Sequence, residues 1–345
     1  MNNSTYKMLV IGDIHIKRKD LSRSSQLLEA LSDSINSLKP DMAVMLGDVF
    51  DNHATCYAEC QELFCDFLDK TRGTVKVHLC GNHEMENGVE LFPKTNSLSV
   101  FTRHYQTLSP QYYNELPSYI PVVKPSLLDI GVCSVGFVPY APPGMFREAF
   151  NKLGAVPDLI LCHQEFHGAS YVKGTLSERG DAIEPWMNVI AGHLHNSQTL
   201  EKDGGRIWYP GTPIQHDFSD RDDKAIYLIE VSAGGKYTIK ETIRFSHLPQ
   251  FRTVRLSASE VAGFKPTGMA GDKLRFVISG TKAELLSLRY DENYRTLASL
   301  GKIKPEVVKD QTPTPEKTEQ VEFEKLLKTY CANEGVEDAY NLVFE

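Results

Sequence analysis

Apolar residues in the first two-thirds of the chain gather in short runs, separated by longer stretches in which they recur every three or four positions. The runs at 7–12, 41–47, 75–81, 130–139, 158–163 and 189–193 read as buried strands. Between the first two, Leu27, Leu28, Leu31, Ile35 and Leu38 fall at helical spacing and predict a helix over 24–38. A second helix is predicted over 54–70. This βαβα opening implies an α/β body with helices packed outside a sheet. Runs at 206–209, 224–231 and 236–243, with a turn at 232–235, predict hairpin-like strands. The region 84–130 is aromatic and punctuated by Pro93, Pro117, Pro121 and Pro125, and reads as an elaborated insertion rather than core.

The pattern restarts after His247-Leu248-Pro249. Strands at 251–256, 273–279 and 302–308 around a helix at 281–290 predict a small second domain. Residues 309–320, polar and carrying Pro313 and Pro315, read as a linker. Beyond them Phe323, Leu326, Leu327 and Tyr330 fall at i, i+3, i+4 and i+7, and Val336, Ala339, Tyr340 and Val343 repeat that spacing. The tail therefore predicts a helix-loop-helix with one apolar face on each helix. The expected domains are 1–246, 247–308, a linker at 309–320 and the helical pair at 321–345.

Composition narrows the class. A chain of 345 residues, 41% hydrophobic and 24% charged, suits a large globular domain with a smaller companion. No apolar run approaches the roughly 20 residues that span a bilayer, and residues 1–7 lack the pattern of a signal peptide. A cytoplasmic protein with no membrane partner is expected. Seven cysteines, an odd count without a CxxC pair, fit reduced thiols rather than a disulfide framework. The net charge of −8 argues against broad coating of nucleic acid but leaves room for a local basic groove.

Candidate chemistry sits just past the strand ends. Asp13 and His15 lie in IGDIH, Asp48 in LGDVFD, Asn82 and His83 in CGNHE, His163 in LCHQE, and His193 and His195 in AGHLH. In an extended chain residues i and i+2 point the same way, so DxH and HxH each deliver two ligands from one strand end. Loops at the carboxyl ends of strands converge in open α/β sheets. Carboxylates, imidazoles and an amide oxygen make a mixed set suited to manganese, iron or zinc. Taken singly, each fragment is ordinary strand-end turn chemistry. Seven such groups in one α/β body are more than one ion needs, and suit two ions sharing a carboxylate.

The order D-x-H, G-D-x-x-D, G-N-H-E, H, G-H-x-H resembles the calcineurin-like metallophosphoesterases over residues 7–231. That resemblance implies a β-sandwich flanked by helices in α/β/β/α layers. It implies that Asp13, His15 and His195 hold one metal ion, that Asn82, His163 and His193 hold the other, and that Asp48 bridges them. His83 would be the catalytic residue, acting on the phosphate or the leaving oxygen. Two divalent ions are implied, manganese foremost, with magnesium, iron(II) or zinc as alternatives.

Protein phosphatases of this superfamily carry arginines at positions occupied here by Asn52-His53 and Cys80, so a terminal phosphate dianion lacks its guanidinium clamps. The segments HQEFHGA (163–169) and YPGTPIQHDFSDRDDKAIYLIEV (209–231) look like DNA-repair nucleases of the SbcD type, most closely phage recombination endonuclease subunits. The resemblance then implies 3′-to-5′ exonuclease activity on duplex ends and endonuclease activity on single strands or hairpins. It also implies an α+β capping domain, a homodimer, and a tail that binds an SbcC-type coiled-coil ATPase through Phe323, Leu326, Leu327, Tyr330, Val336, Tyr340 and Val343. Phe64, Phe67 and Leu68 are candidate dimer contacts, and core packing explains them as well. Relatives place a histidine where Asp51 stands, so Asp51 and neighbouring His53 are candidate auxiliaries near the leaving group. Lys17, Arg18 and Lys19 are candidate DNA phosphate contacts. A small-molecule or cyclic-nucleotide phosphodiesterase would share the metal site, and a non-catalytic scaffold would keep only the fold; both alternatives stay open at this point.

Overall fold

The computed structural model describes residues 5–53, 55–101, 118–171 and 174–308, together with 325, 326 and 329. Four parallel strands, β1 (Tyr6–Ile11), β2 (Met42–Met45), β3 (Val75–Leu79) and β4 (Tyr119–Val122), form a six-stranded sheet with the antiparallel strands β11 (Ile226–Val231) and β12 (Tyr237–Ile243) beyond β1. A second six-stranded sheet follows the order β5 (Ser126–Asp129), β6 (Ser134–Val138), β7 (Leu159–His163), β8 (Asn188–Gly192), β10 (Gly205–Tyr209) and β9 (Gln198–Lys202). Within it β6, β7, β8 and β10 run parallel, and an antiparallel strand closes each edge.

The period-two alternation of the strands assigns each face. Met8, Val10, Met42 and Val44 pack against Val135, Phe137, Leu159, Leu161 and Ile190, which joins the two sheets face to face. The opposite face of the first sheet, with Leu9, Ile11, Ala43 and Met45, takes the apolar stripes of α1 (Leu21–Leu38) and α2 (Ala58–Lys70). Ile160, Val189, Ala191 and Ile207 bury against α3 (Phe146–Asn151) on the outside of the second sheet. The layers are thus α/β/β/α. Strands covered on both faces need apolar side chains on both, hence the unbroken run Met42–Met45.

Several local expectations change. The run at 130–139 is not one strand: Asp129 accepts a 2.8 Å bond from the Gly131 N–H, and Gly131 sits at φ +84°, so a turn separates β5 from β6. The region 84–130 is not wholly an insertion, because β4 completes the first sheet and buries Tyr119 and Val122. Strand β9 went unpredicted, since Leu200 is its one apolar residue and most of it is exposed. Helix α1 starts at Leu21 instead of 24, and α2 at Ala58 instead of 54. Helix α1 stops at Lys39, whose φ of +46° and N–H bond to the Ile35 carbonyl (2.9 Å) form a left-handed cap just before Pro40. Phe64, Phe67 and Leu68 are 0%, 1% and 1% exposed in the core, which removes them as dimer contacts.

The described residues divide into two compact units. The larger runs to Thr253 and takes in Thr267–Leu274; the smaller holds Val254–Pro266 and continues from Arg275. A three-stranded sheet of β13 (Phe251–Ser257), β14 (Lys273–Gly280) and β15 (Gly301–Val307) carries α4 (Lys282–Ser287) and α5 (Glu292–Leu300). The Thr281 hydroxyl and Glu284 carboxylate close a capping box at the start of α4, as a Thr-x-x-Glu sequence permits. Helix α5 was not foreseen; it begins where the Asp291 carboxylate accepts from the Tyr294 N–H at 2.9 Å. The linker 309–320 and, apart from Leu326, the apolar tail positions Phe323, Leu327, Tyr330, Val336, Tyr340 and Val343 lie outside the described residues. Leu326 is helical and exposed.

Candidate metal centre

Strands β1, β2 and β3 are adjacent in one sheet, and β7 and β8 in the other. Face-to-face packing brings their carboxyl ends together. The loops after β1 and β2 are stitched by His15 N–H to the Asp48 carbonyl (3.0 Å) and Ile16 N–H to the Val49 carbonyl (2.7 Å). Among the bonds that span the sheets, His163 Nδ1–H donates to the Leu46 carbonyl (2.8 Å), and the His193 N–H donates to the Asp13 carboxylate (3.0 Å).

The result is two adjacent groups. The ligand atoms of Asp13, His15 and His195 lie within 4.8 Å of one another, and so do those of Asp48, His163 and His193. Asn82 belongs to the second: its Oδ1 is 3.0 Å from His163 Nε2 and 2.9 Å from His193 Nδ1. Asp48 Oδ2 is 3.3 Å from His163 Nε2. All seven sequence-predicted ligands therefore converge.

The donor set fits cations for a specific reason. Donation from Nδ1 to the Leu46 carbonyl leaves His163 Nε2 aimed at the oxygens of Asn82 and Asp48, a contact that needs a proton or a metal ion between them. His15 Nε2 likewise meets His195 Nε2 at 3.2 Å, and His15 Nδ1 is buried without a hydrogen-bond partner. Lone pairs converging on one another in a buried site repel unless positive charge lies between them. Burial pushes Asp13 up to about 6, mitigated by His163 and His193. Burial alone would raise Asp48, but His163, His15 and His83 hold it well below the usual carboxylate range. Asp48 and Asp13 in turn overcome burial at His163 and lift it to about 9.

Backbone strain concentrates here. Among the described residues six other than glycine have positive φ, and three of them are His15 (+48°), Asp48 (+47°) and His193 (+85°). Such conformations cost on the order of 1–3 kcal/mol each and persist where surroundings over-determine them. Glycines allow the crowding. A Cβ on Gly81 would run into the Asp48 carboxylate, and one on Gly47 would meet the His163 ring.

Two residues reveal roles beyond their sequence signal. Glu84, fully buried, accepts from Asp48 N–H and Gly81 N–H (both 2.8 Å) and from Phe50 N–H (3.0 Å), so one carboxylate ties the loops after β2 and β3. Burial and Asp48 push its pKa up to about 8, against the pull of the backbone donors. His216 is buried with its ring 4.8 Å from His15 and 5.3 Å from His195, and its Nε2 lies 3.2 Å from the Asp13 carbonyl. Nothing in the tripeptide Gln215-His216-Asp217 signals that position.

His83 stands beside the second group. Its Nδ1 is 2.7 Å from the Asp51 carbonyl, its N–H donates to Asp48 Oδ1 (2.9 Å), and its Nε2 is 3.8 Å from Asp48 Oδ2. Burial lowers its pKa, with Asp48 acting the other way. His53 stacks on it at 3.9 Å between centroids and 29° between planes. The Asp51 carboxylate sits 3.6 Å from both His15 Nδ1 and Lys17 Nζ, while Lys17 also donates to the His216 carbonyl. Arg18 is occupied by Glu59 and the Tyr57 ring, and Lys19 is exposed.

The calcineurin-like phosphoesterase family matches residues 6–197, which hold every one of these ligands. The chain belongs to that family. As a phosphoesterase it hydrolyses phosphate esters at the dinuclear metal centre characteristic of the family, and these two groups are its candidate ligands. "Putative phosphoesterase 244L" of Invertebrate iridescent virus 6 is 26% identical over 80% of this chain and 94% of its own. "Putative phosphoesterase 078R" of Invertebrate iridescent virus 3 is 27% identical over 86% of this chain and 84% of its own. Among solved structures, Vacuolar Protein Sorting 29 from Cryptosporidium parvum overlays with 15% identity and a TM-score of 0.30, covering 70% of this chain and 98% of that one. No described helix of the phosphoesterase is long and apolar enough to cross a membrane.

Proposed function

We propose that this phosphoesterase is a DNA phosphodiesterase of the SbcD-type nuclease branch, cutting duplex ends 3′ to 5′ and single strands or hairpins internally. Asp13, His15 and His195 would hold one divalent ion, Asn82, His163 and His193 the other, with Asp48 between them and manganese as the expected metal. When bound, the ions supply positive charge opposite the phosphoryl oxygens and a nucleophile at neutral pH. His83 is fixed by its bond to the Asp51 carbonyl and by the His53 ring, which leaves Nε2, 3.8 Å from Asp48 Oδ2, facing the second group. Burial lowers the His83 pKa against the pull of Asp48, which makes its imidazolium a readier proton donor, and Nε2 delivers that proton to the departing sugar oxygen. Lys17, beside Asp51, offers a cation at the rim for a backbone phosphate. The smaller unit is proposed as a cap over DNA, and the tail as the docking element for an SbcC-type ATPase in a homodimeric assembly.

The observation that carries this reading is a histidine where a monoesterase would place guanidinium. His53 lies against His83, and Cys80 is 1% exposed and turned into the core, so neither position clamps a terminal dianion. A diester has one fewer charge to hold. The test compares manganese-loaded protein on end-labelled duplex, single-stranded DNA and a cyclic nucleotide. DNA cleavage is expected, reduced about 10²–10⁴-fold by His83→Ala with metal content retained. Hydrolysis of the cyclic nucleotide without DNA cleavage would move the assignment to a small-molecule phosphodiesterase.

A further inference from the structure

A cavity of about 250 Å³ opens in the larger unit, and none of the seven candidate ligands lines it. Its walls come from the segment joining β12 to β13 and from residues 213–224, which lead into β11. Ile214, Lys224 and Phe245 are buried there, while Arg244 and Arg252 are exposed.

Side-chain bonds hold these walls in place. Gln250 Nε2 donates to the Phe245 and Leu248 carbonyls (3.2 and 2.7 Å), which closes the turn after Arg244. Phe251 N–H donates to Gln215 Oε1 (2.8 Å), and the Arg23 guanidinium lies 4.9 Å from the centre of the Phe251 ring. Lys224 donates to the His195 carbonyl (2.5 Å), so one side chain joins the cavity to the loop that carries a candidate ligand.

Three cations and one carboxylate line the space. Asp222 accepts from Gln215 Nε2 (2.8 Å), Arg252 pairs with Asp272, and Lys224 pairs with Asp220 (3.6 Å). Arg244 has no hydrogen bond or ion pair with the described residues, so its planar fork is open to a ligand. Such a fork matches two phosphate oxygens at once. The aliphatic and aromatic lining suits an apolar body attached to that anion. Drug-sized ligands occupy roughly 300–1,000 Å³, so this smaller space suits a single nucleotide and not a longer stretch of strand.

We infer that the cavity is a nucleotide site: it takes one deoxynucleoside phosphate, with Arg244 on the phosphate and the base against the apolar lining. This rests on the DNA reading above, from which the ligand class is taken. The nucleotide comes either from the bound strand or from free monophosphate, and the chemistry of recognition is the same.

The experiment is equilibrium dialysis of labelled dAMP against the protein in EDTA, which keeps metal ions out of the ligand groups. Binding is expected, at least about tenfold tighter than that of deoxyadenosine or inorganic phosphate as competitor, because each fragment uses only part of the cavity. Arg244→Ala, at an exposed position, is expected to raise the dAMP Kd about tenfold without moving the urea midpoint. Ser246→Trp, at a second exposed position of the lining, is expected to abolish binding by filling the space. A fluorescein-labelled single strand, followed by anisotropy, separates the two sources. A matching loss in Arg244→Ala assigns the site to a nucleotide of the bound strand, and unchanged strand affinity assigns it to free monophosphate. Absence of dAMP binding, or equal dAMP affinity in the unaltered protein and both variants, overturns the site. Either result leaves the DNA reading to the cleavage assay, which does not use this cavity as its readout.

Discussion

Glu84 shows how much of this centre is held by one side chain that ligates nothing. Its two oxygens accept three N–H groups from the segments that carry Asp48 and Asn82. Glu84→Gln keeps the shape but turns an NH2 toward donors, so at least one buried N–H loses its acceptor, at about 1–3 kcal/mol for each group left unpaired. Denaturant unfolding of the metal-free protein is expected to show a loss of that order. An unchanged midpoint would mean the three bonds contribute nothing net. Glu84 is the most metal-like side chain of the triplet Asn82-His83-Glu84 by residue type, yet it is the Asn82 oxygen that lies in the second ligand group, and the carboxylate stands one layer back. Its burial among backbone donors depends on loops distant in sequence, which no local pattern encodes.

Strand β3 contains a buried cation. Lys76 is fully buried, and its ammonium donates to the Thr71 and Thr74 carbonyls; burial lowers its pKa from 10.5 to about 8. Between pH 8 and 10.5 the unfolded chain therefore binds more protons at this site than the folded one, and unfolding free energy rises with pH there. Lys76→Met removes that contribution. The difference in stability between the unaltered protein and Lys76→Met is expected to shift in favour of the former as pH passes from 8 to 10.5, measured by urea unfolding; parallel pH curves would contradict it. The same strand shows what element-scale reading achieves. Strands with unbroken apolar runs, such as β2, were legible because burial on both faces demands them. Strand β9 was not, because one exposed edge strand leaves no periodic apolar mark. The division between β5 and β6 was missed because Ile130 and Val132 flank a glycine turn with strand-like residues.

Across the whole molecule, the layered sandwich explains why ligands spread from Asp13 to His195 can meet. Two sheets, each with parallel central strands, present their carboxyl ends to one place, and bonds such as His163 to Leu46 fasten them there. The candidate ligands that converge were legible because DxH, GD, GNH and GHxH recur after strand ends in a fixed order. The left-handed backbone at His15, Asp48 and His193, and the burial of His216 behind His15, were not, since both arise only when the sheets pack. Asp48 is the residue on which the two-ion account turns. The most direct measurement is therefore Asp48→Asn, assayed for manganese stoichiometry and for cleavage of end-labelled duplex. The account predicts two manganese ions per unaltered chain, fewer in the variant, and duplex cleavage reduced at least about 10³-fold. A variant that binds two ions and cuts duplex at the unaltered rate would contradict it.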